Sequence, residues 1–410
     1  GMLPPTMALL RHALEDANAD LVAWAAGVVL NTSYELAAPF GALLLAEHPG
    51  ASAALLACLS PGGSPLQNSN ASGALMNICA TSEAHTQEVL AKNGLQSLLE
   101  VLASCKAGDQ EGDAVAACHA AGALANLART EAAVESLLSL GGAKTVVEAL
   151  EGETEEAVRA AAACVLNAAG GESNAHAAIR EEMVEAGGVG TLVATLASPN
   201  VELKLKSLGA LLNLTVAGSA AEAVRDASVD VEAAQKLVST GGFEMLVKQL
   251  SEPEPMLRAR AAGVLFNCAG FGPDNRLAML EQGTLAAVVE ALGSDPGRGS
   301  TDEVRHMIEA RLVGVLLNAA LNPTTRVAVL ELGGLKPLVG YLASHDPTVL
   351  ATATTAIAYL NDKAEHRPGA LDSALRSSEN AARLTYHKQR FHGGAAAAAA
   401  ADASLPADAK

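Results

Sequence analysis

The side chains best suited to covalent chemistry in this 410-residue chain are six cysteines and ten histidines. A thiolate beside an imidazole is a nucleophile with its base, and Cys118 directly precedes His119 in "ACHA" (117–120). Such catalysis needs both groups within hydrogen-bond reach and a third group orienting the base. Neighbours on a helix point about 100° apart, so this pair makes no dyad. Cys58, Cys79, Cys105, Cys118, Cys164 and Cys268 include no CxxC, and no Cys/His cluster has zinc-ligand spacing. "GGES" (170–173) and "GGVG" (187–190) do not follow a strand, as a phosphate-cradling glycine loop does. No strands are evident. The expectation is a chain that is not an enzyme and uses neither cofactor nor metal.

The side chain that does recur, at the end of the same apolar phrase, is an amide. Asn31, Asn77, Asn126, Asn167, Asn213, Asn267 and Asn318 each end an apolar phrase, as in "AAGVVLN" (25–31), "GALMN" (73–77) and "GVLLN" (314–318). Asparagine is a mediocre helix former, several tenths of a kcal/mol worse than alanine, so its repeated use needs a common cause. An amide offers two donors and an acceptor. It can therefore pair with a peptide unit whatever the side chains, or with a carbonyl of a neighbouring repeat. Seven residues make nearly two helical turns. The position seven before each asparagine therefore lies on the same face: Trp24, Asn70, His119, Ala160, Lys206, Arg260 and Arg311. The last three are basic in a chain of net charge −18. They suit an acidic segment, unless Glu202, Glu254 or Glu309 pairs with them locally. Position −4 is Gly27, Gly73, Gly122, Ala163, Gly209, Gly263 and Gly314. Mid-helix glycine costs about 1 kcal/mol relative to alanine, so its recurrence points to close helix packing.

The elements that position these residues follow from the beat. Successive asparagines lie 46, 49, 41, 46, 54 and 51 residues apart, the period of a helical solenoid. A second phrase keeps the same order, as in "SLGGAKTVVEAL" (139–150), "EAGGVGTLVATL" (185–196) and "ELGGLKPLVGYL" (331–342). Each reads as a glycine turn opening a helix with apolar residues at i, i+3, i+4 and i+7. A polar or proline-bearing turn follows, then the longer helix that ends in asparagine. "RLAMLEQGT" (276–284) and "RVAVLELGG" (326–334) fit a short helix before the glycines.

These phrases resemble the armadillo repeat family, most clearly in "VEAGGVGTLVATLASPNVELKLKSLGALLNLT" (184–215). The resemblance implies an all-α, right-handed α-solenoid with three helices per repeat. It also implies a concave groove lined by third helices, whose asparagines hold the backbone of an extended partner peptide. Importin-α-type members carry tryptophan at the −4 position to hold lysine stems. This chain has one tryptophan, and it is elsewhere, which argues against nuclear-import adaptor work. "AAGVVLNTSYELAAP" (25–39) is similar to repeats of armadillo-type GDP-dissociation stimulators, which implies an alternative partner, a small GTPase.

The expected organisation is a solenoid of about eight units over residues 3–362, the first incomplete. A capping helix is expected at 363–392 and an alanine-rich tail at 393–410. The insertions 104–115, 218–234 and 293–304 read as exposed acidic loops. Only 2% of residues are aromatic, so alanine, leucine and valine must build the core. The negative balance argues against nucleic acid and against adsorption to anionic lipid. The run "LVAWAAGVVL" (21–30) is too short to span a bilayer. Unpaired cysteines in alanine-rich phrases suit a reducing compartment, the cytoplasm or the nucleus. The function expected is a non-catalytic scaffold that holds an extended partner segment, favouring acidic segments towards the C-terminal half.

Overall fold

Short polar side chains set where the helices start. Thr154, Asn200 and Thr301 accept the amides of Ala157, Leu203 and Val304, opening three of the long helices. Ser82, Thr130 and Asn322 do the same for short ones. Each satisfies an amide that has no partner inside the helix. Proline sits in the first turn of the helices Pro65–Thr81, Pro255–Gly270 and Pro323–Glu331, where its missing N–H is not needed. The structure, a computed structural model, describes residues 7–9, 12, 15, 18, 20–33, 50–61, 63–107, 112–216, 218–233 and 236–362. The expected cap at 363–392 and tail at 393–410 lie outside them.

The turn between the first and second helices is where glycine is required. Gly141, Gly187, Gly283 and Gly333 sit at φ 62, 87, 75 and 77°, a left-handed conformation that other residues rarely adopt. Asn93 holds the same place at φ 58°, as asparagine can.

The chain falls into two compact units, residues 1–217 and 218–410. In the first, the third helices are 20–33, Pro65–Thr81, Asp113–Leu127, Glu155–Ala168 and Val201–Leu214. Successive ones pack side by side. Short helices Glu83–Ala91, Glu131–Ser139 and Asn174–Glu185 precede the glycine turns, as expected. Second helices such as Gly142–Glu148 and Gly188–Thr195 follow them. The core is small and aliphatic: Ala120, Ala123, Leu124 and Leu127 on one third helix, Ala161, Ala162, Val165 and Ala168 on the next, all fully enclosed.

In the second unit the third helices Pro255–Gly270, Asp302–Ala320 and Pro347–Asp362 also pack in succession. Two expectations need correction here. The insertion at 218–234 is not a loop: Gly218–Asp226 is a first helix. After it, strand β1 (Ser228–Ala233) pairs antiparallel with β2 (Lys236–Gly241). The alternating valines of "SVDV" carry the period of a strand. In the first unit, the expected loop at 104–115 is helical at both ends, because Gly94–Ala107 runs past Cys105 and Asp113 opens the next helix. The 293–304 insertion is irregular from 294 to 301, as expected, and is held from inside. Arg258, 1% exposed, donates to the carbonyls of Glu252, Pro253, Pro296 and Arg298.

Candidate partner-binding face

Each third helix carries a strip of residues on one of its faces. Offsets of 4, 7 and 11 residues from the asparagine return within about 40° of it at 100° per residue. Along this strip the asparagine and the −7 residue are mostly half-buried, and the −4 residue is buried at Gly73, Gly209, Gly263 and Gly314 and half-buried at Gly27, Gly122 and Ala163.

The asparagines make a ladder between repeats. Asn126 Nδ2 donates to the carbonyl of Met76 at 2.9 Å, and Asn167 to that of Ala125 at 2.7 Å. Asn213 donates to Leu166 at 2.9 Å, and Asn318 to Phe266 at 3.5 Å. In every case the acceptor is the residue just before the preceding repeat's asparagine. Asn77 instead donates to the Ser33 hydroxyl at 3.0 Å. Asn31, on the first third helix, is exposed, and Asn267 is half-buried. The bond uses one N–H of a group that has two, and an oxygen besides.

Position −7 makes a second ladder with the same register. Asn70 Nδ2 donates to the Ala23 carbonyl at 2.9 Å, one residue before Trp24. His119 Nδ1 lies 2.8 Å from the Ser69 carbonyl, and Arg311 Nη1 donates to Ala259 at 2.6 Å. The −4 glycines make room for these side chains. A Cβ on Gly27 would stand 2.9 Å from Asn70 Nδ2, and one on Gly73 would stand 2.8 Å from His119 Nδ1. On Gly314 it would stand 2.6 Å from the Phe266 ring. Close packing is therefore their role.

The comparisons with known proteins agree with this geometry. Residues 322–360 match the model of the armadillo/beta-catenin-like repeat. Among solved structures, a crystal structure of an engineered protein is 21% identical, covering 97% of each chain, with a TM-score of 0.62. Another engineered protein is 25% identical over 66% of this chain and 97% of its own, with a TM-score of 0.54. A designed armadillo repeat protein in complex with the peptide (KR)4 is 20% identical over 64% of this chain and 99% of its own, at a TM-score of 0.51. No curated protein matches.

The chain has the fold of armadillo-repeat solenoids, with an armadillo repeat matched at residues 322–360. Its −7 column ends in half-buried cations. Burial holds the Arg260 and Arg311 guanidinium groups below their ordinary range, and Arg260 adds its repulsion to Arg311. The nearby glutamates have the following surroundings. Glu202 lies 3.6 Å from Arg159. Glu254 caps the Met256 amide at 3.2 Å. Glu309 is buried, raised by desolvation and opposed by Arg305 and His306. Lys206 is half-buried in the first unit. Trp24 is 72% exposed at the first third helix. The phrase resembling GDP-dissociation stimulators lies outside the described residues from position 34 onward.

Two features of the armadillo frame escaped the sequence reading. One is a set of first-helix arginines that close the third helices. Arg180, Arg276 and Arg326 donate to Ala169, Ala269 and Ala320 at 2.8, 2.9 and 2.7 Å. Each acceptor is two residues past an asparagine, and each arginine is seven before the left-handed glycine. That constant offset was the available signal. The other is position −11, where Leu66, Val115 and Met307 are exposed and Met256 is half-buried.

No nucleophile is prepared among the described residues considered at the outset. Burial pushes the thiols of Cys58, Cys79 and Cys164 up to about 12, and it also raises Cys118 beside His119. All six cysteines are free. Ser52, His85 and Glu88 lie close together, but Ser52 Oγ and Glu88 Oε2 face the same ring nitrogen, Nδ1, at 2.7 and 3.6 Å. A relay needs the two different nitrogens, and Ser52 and His85 are fully buried. No helix among the described residues is long and apolar enough to cross a membrane.

Proposed function

We propose that the protein is a non-catalytic interaction scaffold. It holds an extended partner segment against the third helices, and the C-terminal unit favours acidic segments. The observation that carries this reading is the strip itself: half-buried amides at register positions, with Arg260 and Arg311 one to two turns away. Asn77, Asn126, Asn167, Asn213 and Asn318 are held by inter-repeat bonds, so their remaining groups are ordered before a ligand arrives, which limits the entropy lost on binding. The designed armadillo protein of similar fold that holds the peptide (KR)4 shows that such a frame can bind a peptide. In this chain the guanidinium groups point to the opposite ligand charge. Carboxylates pair with arginine in bidentate geometry, and pairing would relieve the repulsion between Arg260 and Arg311.

The test is fluorescence anisotropy with a glutamate-rich and a lysine-rich peptide, on wild type and on Arg260→Glu/Arg311→Glu. The wild type should prefer the acidic peptide and the variant should lose or reverse that preference. Equal binding of both peptides to both proteins would remove the proposal.

A further inference from the structure

The C-terminal unit carries a second row beside its arginines. Met256 stands four residues before Arg260, and Met307 four before Arg311, one helical turn away on the same face. Met307 is 37% exposed and Met256 half-buried. Phe266, 39% exposed, lies across Gly314 between the two helices. Carboxylate recognition by Arg260 and Arg311 has no use for these apolar side chains, and water does not favour them. Met307 and Phe266, with the accessible part of Met256, leave apolar surface beside the unit's half-buried cations.

We propose that this face recognises a partner segment in which acidic and bulky apolar residues alternate. The proposal rests on the acidic-segment reading of the same face and adds to it. An extended chain turns successive side chains to opposite sides. The two rows are separated by four residues along each third helix, about 6 Å at 1.5 Å per residue. A segment crossing the helices therefore sets its carboxylates towards Arg260 and Arg311 and its apolar side chains towards Met256 and Met307. Methionine is unbranched and polarisable and packs against many shapes. Leucine, isoleucine and phenylalanine should accordingly serve almost equally in the apolar positions. Charge complementarity selects this occupant, because a basic segment would place its cations against the arginines.

The test compares three peptides by anisotropy: alternating glutamate–leucine, alternating glutamate–serine and alternating lysine–leucine. The glutamate–leucine peptide should bind about tenfold or more tighter than glutamate–serine, as burial of one or two apolar side chains implies. Met256→Ser/Met307→Ser, changed at positions that solvent reaches, should keep the melting temperature and erase that difference. Met307→Gln alone should reduce it. Equal binding of the two acidic peptides to wild type would overturn the alternation while leaving the charge preference standing. Binding of neither acidic peptide would overturn both readings. Self-association of the wild type that Met307→Ser abolishes would assign the row to a second copy of the chain and also overturn the proposal.

Discussion

Asn126→Ala/Asn167→Ala/Asn213→Ala removes three inter-repeat bonds of 2.9, 2.7 and 2.9 Å from the first unit. A hydrogen bond contributes about 0.5–1.5 kcal/mol net. Alanine returns several tenths of a kcal/mol per site through its helix propensity. The net loss is then roughly 0.3–1 kcal/mol per site. Third helices stand about 8–10 Å apart, far enough for the losses to add approximately. The triple variant should lose about 1–3 kcal/mol, and its melting temperature should fall by about 3–10 °C. Helicity at 20 °C should be unchanged. Circular dichroism melts and urea titrations measure both. In a solenoid each interface contributes separately, so each single variant should lose a similar fraction of the triple variant's loss. Loss of folding in any single variant would refute the ledger and make the asparagines part of the core. No change in the triple variant would show that the ladder contributes nothing.

Other consequences can be measured in the second unit. Arg258→Met removes donors from four carbonyls around a side chain that is 1% exposed; it should cost about 1–3 kcal/mol or more through acceptors left unsatisfied and open residues 294–301 to limited proteolysis. Gly314→Ala should destabilise despite alanine's propensity, because its Cβ meets the Phe266 ring, and Phe266→Ala added to it should restore the loss in a double-mutant cycle. Burial raises the carboxyl of Glu309 above the ordinary value of 4.5, so the folded state holds its proton more tightly than the unfolded state. Its contribution is present below 4.5 and is lost as pH rises through the folded value. Glu309→Gln should therefore gain stability at pH 7 relative to wild type, with little difference at pH 4; an equal gain at both pH values would exclude the linkage.

Much of the frame was legible because it repeats. The asparagines and glycines recur at fixed offsets, and each offset corresponds to one physical demand: a left-handed turn, a close approach or an inter-repeat donor. Asn93 shows the rule working through chemistry, since it takes the left-handed turn where the phrase lacks its first glycine. The β1–β2 hairpin was hidden because a helical beat invites reading its interruptions as loops, although Val229 and Val231 alternate as strand residues do. Arg180, Arg276 and Arg326 keep a constant distance to the glycine, but they sit in short helices whose partners become visible only when the third helix ends beside them. Met256 and Met307 look like core residues in an apolar helix, and only their exposure separates them from it. The direction of each asparagine amide depends on the register between repeats, which spacings of 41 to 54 residues leave undetermined.

The most direct test of the third-helix face as the partner site is site-specific photocrosslinking. A benzoylphenylalanine is placed at Asn318, on that face, or at Lys336, exposed on a second helix. Both proteins are irradiated in extract beside an Arg260→Glu/Arg311→Glu version of each. The account predicts a discrete adduct from position 318 that disappears with the charge reversal, and none from position 336. An adduct from position 336 that survives the charge reversal, with none from 318, would contradict it.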